Sequence, residues 1–183
     1  MQRARRLRPG RIDLEKIQAA LLKDPAAQPE LGQWQQFRFA SVVAFYKMLH
    51  AAVHKAKPGI VLRYNMHAKN PRDFGVDIVQ LKPHLDALRI QDYAEQTGQA
   101  AAMNGKRSWL TEERGNMGPE FNLVSGVAVR PRATPELIRQ GVKIAVETRM
   151  NGIMLGFYDG ADFANLRAVR AGLADAGLPV AAA

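Results

Sequence analysis

Gln91, Asp92, Tyr93 and Glu95 follow directly on the apolar stretch Ala87–Ile90 in the sequence ALRIQDYAEQTG. A strand ending in such a cluster would hold one carboxylate between groups that hydrogen-bond a polyhydroxylated substrate. Asp92 is therefore the best candidate acid or base. Asp159, in IMLGFYDGAD, is the natural second carboxylate. Two carboxylates roughly 5 to 10 Å apart can divide acid and nucleophile or base roles in glycoside cleavage. Each has a structural alternative. Asp92 can bond backbone at the strand end or pair with an Arg, and Asp159 can serve the turn in YDGAD.

Other polar groups fall at the ends of predicted strands: Asn65, His67 and Lys69; Arg130 and Arg132; Tyr158. Of these, Asn65, His67, Arg130 and Tyr158 join Gln91, Tyr93 and Glu95 as expected substrate contacts. Trp109, in the longest polar connection, is read either as a sugar-stacking platform or as ordinary packing. Arg130 and Arg132 suit an anion near the start of the next helix, or pair with rim acids. Asp162 is read as a helix N-cap. His50 and His54 sit at i and i+4 on a strong helix, a spacing that can hold a metal. No Glu follows His50 as H-E-x-x-H requires, so they are read as a solvated last turn and no metal is expected. His84, after Pro83, is read as a loop residue.

These residues need a scaffold. IDLEKIQAALLK (12–23) has helical spacing at Ile12, Ile17, Leu21 and Leu22. In WQQFRFASVVAFYKMLHAAVHKAKPG the residues Trp34, Phe37, Ser41, Phe45, Met48, Ala52 and Val53 recur at i, i+3, i+4 intervals, predicting a helix that Pro58-Gly59 stops. Strands are predicted over 60–67, 87–93, 122–130 and 153–159. Between them come a short helix in DFGVDIVQLKPHL, a short helix near 107–116, and a helix with Thr134 as N-cap, Pro135 at its first position and Asn151-Gly152 as its stop. A closing helix follows Asp162, with Phe163, Leu166, Val169 and Leu173 on one face and Gly177 at its end. Short apolar strands alternating with helices are the pattern of parallel βαβ units. The expected class is α/β: four parallel βα units, half of a (β/α)8 TIM barrel, with N-terminal helices. A small open α/β sheet is the alternative.

The chain has 183 residues, which suits one compact domain. It divides into a basic N-terminal arm (1–11), a half-barrel domain (12–178) and a flexible tail (179–183). Five arginines of the arm, Arg3, Arg5, Arg6, Arg8 and Arg11, account for much of the net charge of +9 and leave +4 for the rest. The body shows no basic stripe interleaved with aromatics, so nucleic acid is not the expected partner. Cysteine is absent, which excludes disulfides and thiolate metal sites and fits a reducing, cytoplasmic setting. No apolar run approaches a membrane span of roughly 18 residues, and no apolar core follows the N-terminal arginines as a secretory signal requires. No G-x-G-x-x-G or P-loop follows any strand, so no cofactor is expected.

The order of PELGQWQQFRFASVVAFYKMLHAAVHKAKPGIVL, DFGVDIVQLKPHLDALRIQDY and TPELIRQGVKIAVETRMNGIMLGFYDGA, over residues 29 to 173, resembles the C-terminal half of TIM-barrel glycoside hydrolases, and most the bacterial glycosidases and β-galactosidase-like barrels. The resemblance implies a W-x-x-F-R helix before a fifth strand, PHLDALRIQDY as the sixth and GIMLGFYDGA as the eighth. It implies carbohydrate as the partner and carboxylate acid/base chemistry as the activity. Two departures stand. Nothing corresponds to strands one to four, where many such barrels carry the acid/base. The seventh-strand tip, VAVRPR, has Arg130 and no nucleophilic Glu. Because closure needs about eight strands, a homodimer or a complementary half barrel is expected. Two other functions fit the same layout: non-catalytic sugar binding, and a phosphate-ligand isomerase or aldolase using Arg130 and Arg132.

Overall fold

The structure, a computed structural model, describes residues 29–180. The arm 1–11, the predicted helix over 12–23 and the last three residues of the tail lie outside the described residues. Helix α1 (Pro29–Ala56) runs 28 residues and stops before Pro58, which has no N–H to continue it. Four short strands follow: β1 (Arg63–Met66), β2 (Ala87–Ile90), β3 (Asn122–Ala128) and β4 (Gly152–Gly156). They pair in the order β1-β2-β3-β4 and every pair is parallel. The chain is therefore α/β. Helices α2 (Ile78–Leu81), α3 (Ala100–Met117), α4 (Pro135–Glu147) and α5 (Phe163–Asp175) complete the five helices among the described residues. None of them is long and apolar enough to cross a membrane.

Local chemistry starts the later helices where the sequence predicts. Thr134 accepts from Leu137 N–H at 3.4 Å, with Pro135 behind it, and Asp162 Oδ1 accepts from Asn165 N–H at 2.7 Å. Each cap satisfies one N–H that the first turn leaves without an intrahelical partner. The end of α4 differs from the sequence reading. It stops at Glu147, and Asn151 instead works as a staple: its Oδ1 accepts from Leu123 N–H at 2.9 Å and from Arg114 at 2.8 Å, fixing where β3 starts. Helix α3 spans 18 residues, where a short helix near 107–116 is predicted. Ala100–Ala102 are strong helix formers, and buried Met103 and Lys106 anchor a turn that its polar neighbours disguise.

The sheet is dressed on one side. Side chains alternate across a strand, and the register sets Tyr64, Leu88 and Leu123, then Met66, Ile90, Ser125 and Ile153, then Val127 and Leu155 on a common face. Both buried clusters draw their sheet residues from this face. One adds residues of α1 to α4, the other of α4 and α5. Full burial of a Leu or Ile contributes roughly 1.5–3 kcal/mol, so this face carries the fold. The opposite face holds Asn65, Arg89, Val124 and Gly152, then Gly126 and Met154, and no helix among the described residues packs on it.

Helix α1 turns a different side inward than its spacing predicts, and α5 buries only part of the predicted one. On α1 the residues Phe39, Val42, Val43 and Tyr46 meet the core, and Tyr46 packs edge-on to Tyr64 at 5.8 Å. The predicted stripe is on the outside, with Phe45 53% and Met48 64% exposed. On α5 the predicted face is half inside: Val169 is buried with Asn165, Ala168 and Gly172, and Leu173 packs against the same cluster, while Phe163 is 78% and Leu166 36% exposed. The reason is close approach. A Cβ on Gly172 would stand 2.8 Å from Val142 Cβ and 3.0 Å from the Arg139 carbonyl oxygen, so the small face of α5 goes against α4.

Candidate functional site

Arg89, Gln91 and Tyr93 alternate along β2 and its extension, so all three project toward the uncovered face. Asn65 is the register partner of Arg89 on β1. Two glycines seat the Tyr93 ring: a Cβ on Gly126 would lie 2.9 Å from its Cε1, and one on Gly156 would lie 2.6 Å from its Cε1 and Cζ. The Tyr93 hydroxyl accepts a short hydrogen bond from the Arg89 guanidinium and another from Gln91 Nε2 at 3.2 Å. Its own proton remains to be donated. The Phe157 ring stands 5.2 Å from the Tyr93 ring, and the Arg130 guanidinium lies 3.6 Å over Phe157. Phe157 holds a left-handed φ of 63°, a strained backbone for an aromatic residue.

Three polar atoms of this patch are buried without a hydrogen-bond partner: Asn65 Oδ1, Arg89 Nε and Gln91 Oε1. Leaving such an atom unmet costs about 1–3 kcal/mol. Two acceptors and one donor are thus enclosed beside two aromatic rings, on the side of the sheet where no helix among the described residues packs.

Asp92 is half-buried at the tip of β2. Its Oδ1 accepts from Ala94 N–H at 2.9 Å, which starts the 3-10 turn Ala94–Thr97. It borders an open groove of about 430 Å³ between that tip and α3, together with Lys69, Gln91, Tyr93 and Thr97. Asp159 is exposed in the 3-10 turn Tyr158–Gly160 beyond β4, and Tyr158 is 72% exposed. One strand separates β2 from β4, which sets the ends of these two strands roughly 10 Å apart. His67, Arg130 and Arg132 are exposed.

Two expected contacts are corrected by burial. Glu95 is not on the rim. It is fully buried, paired at 2.6 Å with the equally buried Lys106, and its second oxygen accepts from Ala128 N–H at 3.3 Å. Burial pushes its carboxyl above the usual range, with Lys106 pulling the other way. Trp109 is 5% exposed and donates its indole N–H to Glu113 at 3.3 Å; it is mainly a packing residue and shows only a small part of its surface to the groove beside Asp92. Arg89, Lys106 and Phe157 are absent from the sequence reading. An arginine splitting an apolar strand was a usable signal for Arg89; Lys106 in a polar stretch offered none.

Glu113 is buried beside Trp109 and makes no ion pair among the described residues, and burial raises its carboxyl despite bonds from Asn116 and Trp109. A raised folded-state value favours the protonated form. Its contribution is therefore fully present in acid and lost as pH climbs from the unfolded group's range through the folded one. Glu113→Gln is expected to raise the melting temperature by about 2–4 °C at neutral pH, equivalent to about 1 kcal/mol, with the gain vanishing near pH 4. A gain independent of pH would show that ionisation is not its cause. No protein family, curated protein or solved structure matches the chain.

Proposed function

We propose that the chain is a carbohydrate-active, glycoside-hydrolase-like half of a (β/α)8 barrel. In this reading the uncovered face is barrel interior and the C-terminal strand tips are the mouth. The observation that carries the proposal is the trio of unpartnered buried atoms, Asn65 Oδ1, Arg89 Nε and Gln91 Oε1, next to the Tyr93 and Phe157 rings. A sugar hydroxyl both donates and accepts, so it answers such a mixed set, and its C–H faces pack on aromatic rings. Sequential strand order with the described helices on one side also supports the barrel reading, since a closed barrel puts its helices in an outer ring.

Asp92, on the α3 side of the β2 tip, is the acid or base in this reading and Asp159 its partner, so the bond to be cleaved would lie over the strand tips and not against the uncovered face itself. A second copy of the chain, or a complementary half, would cover the open face and pair the free edges of β1 and β4. Mass in solution decides between these two partners. One observation favours sugar binding without cleavage: half of the Asp92 carboxylate is already committed to Ala94 N–H.

The test is a panel of saccharides by calorimetry beside aryl glycoside turnover. Gln91→Ala is expected to weaken saccharide binding about 10-fold or more, the effect of one charge-neutral polar anchor. Asp92→Asn is expected to lower turnover at least about 100-fold while binding persists. Turnover that survives Asp92→Asn removes Asp92 from the chemistry. Binding with no turnover in the parent chain selects the second reading, and no saccharide binding at all ends both.

A further inference from the structure

A separate constellation lies at the other end of the sheet. His50 and His54 project from one side of α1, one turn apart, toward Asp86, the residue immediately before β2. His54 Nε2 lies 2.9 Å from Asp86 Oδ2 and His50 Nε2 lies 3.5 Å from Asp86 Oδ1. The two imidazole rings are 4.2 Å apart, and one donor atom from each of the three residues falls within 4.8 Å of the others. All three side chains are about 30% exposed, so an ion can enter from solvent.

We propose that His50, His54 and Asp86 form a binding site for one divalent ion of the zinc class. Zinc takes imidazole and carboxylate ligands at about 2.0–2.2 Å, and a tetrahedron of that size spaces its ligand atoms about 3.4 Å apart. Each imidazole nitrogen lies near that distance from one of the two Asp86 oxygens, 2.9 Å to Oδ2 and 3.5 Å to Oδ1, and one donor atom of each residue is within 4.8 Å of the others, so small side-chain adjustments bring three ligands to one ion. Three protein ligands leave the fourth position to water.

The surroundings of the cluster add a second argument. His54 Nδ1 lies 3.3 Å from the Pro58 carbonyl oxygen, an acceptor that calls for Nδ1–H. A neutral ring with its proton there turns the Nε2 lone pair toward the Asp86 carboxylate. Two electron-rich atoms at 2.9 Å require a cation or a second proton between them. A backbone carbonyl orienting a ligating histidine is the usual outer partner of a metal site. On the other side, Leu62 N–H donates to Asp86 Oδ2 at 2.7 Å and holds the carboxylate in place. The ion would clamp the end of α1 to the start of β2, at the face of the sheet away from the strand tips. It is a structural centre and plays no part in the proposed carbohydrate chemistry.

Zn²⁺ titrated into the full chain, without an affinity tag, is the experiment, read by calorimetry and by melting temperature, with Co²⁺ absorption reporting geometry. The expected result is one ion per chain, a higher melting temperature with Zn²⁺, and the visible bands of four-coordinate Co²⁺. His50→Gln and His54→Ala should each weaken binding by more than the roughly 100-fold that outer partners alone reach. His67→Ala and His84→Ala, the chain's other histidines, should leave it unchanged. His54 also bonds the Pro58 carbonyl, so if circular dichroism shows that His54→Ala loses helix, His50→Gln decides. Failure to bind Zn²⁺ at millimolar concentration, or stoichiometric binding that survives His50→Gln, overturns the site and leaves a protonated histidine–aspartate pair.

Discussion

Lys106→Met is expected to cost about 3–5 kcal/mol of folding stability, the loss typical when one partner leaves a buried ion pair. The Lys106 ammonium is wholly buried and donates to Glu95 Oε1 at 2.6 Å, to the Gly126 carbonyl at 2.6 Å and to the Asp92 carbonyl at 2.9 Å. It thereby ties α3 to the tip of β2 and to the middle of β3. Methionine fills most of its volume, so the loss is electrostatic more than steric. Glu95 would be left charged in the interior, pressed against Gly141, where even a Cβ would stand 2.1 Å from its Oε1.

The pH dependence follows from the direction of the Glu95 shift. Its carboxyl is already raised by burial, and losing the cation raises it further. A raised acid stabilises the fold in its protonated form, so the deficit of Lys106→Met is full at neutral pH and shrinks toward pH 4. Adding Glu95→Gln should recover part of the loss, since the uncompensated charge is gone. Chemical denaturation of the parent chain, Lys106→Met and the double variant measures each step. A single-variant cost under about 1 kcal/mol, the scale of an exposed pair, would show that solvent reaches the ammonium.

Gly156→Val is the second large effect, and propensity alone predicts the opposite sign. Valine is favoured in strands and glycine is not, so an open position on β4 would gain stability. Here the new Cβ would fall 2.6 Å from Tyr93 Cζ and 2.7 Å from its hydroxyl. The ring cannot swing away cheaply, because Arg89 and Gln91 hold its hydroxyl and Phe157 flanks it. Overpacking of this kind costs about 1–3 kcal/mol. If the uncovered face is the proposed saccharide site, binding should fall by about 10-fold or more as the Arg89–Tyr93–Gln91 cluster is dispersed. Gly160→Val is the control, since nothing lies within 4 Å of a Cβ there. A higher melting temperature for Gly156→Val would show that Tyr93 does not rest on that glycine.

The candidate site was partly legible. Asn65, Gln91 and Tyr93 stood out as polar groups at the ends of apolar runs, and the uncovered face brings them together. Glu95 stood out for the same reason, and Trp109 as an aromatic in the longest polar connection, and both are buried. Residue type does not distinguish a solvated carboxylate from one facing an ammonium eleven residues later, because that pairing is made in space.

The sequence by itself determined the alternation of short strands and helices, the parallel α/β class and the helix starts at Thr134 and Asp162. All of these depend on neighbours a few residues apart: strand and helix periods, a capping side chain, a proline without N–H. Only the tertiary structure decided which side of a helix is inside. Helix α1 carries two apolar sides, Trp34–Phe37–Phe45–Met48 and Phe39–Val42–Val43–Tyr46, both at helical spacing. The second won because Tyr46 meets Tyr64 there and Phe39 is fully enclosed. On α5 the glycine at 172 outweighed the bulkier Phe163 and Leu166, because close backbone approach to α4 buries more than one side chain can. Periodicity records that a helix has an apolar side; contact with the rest of the chain selects which one.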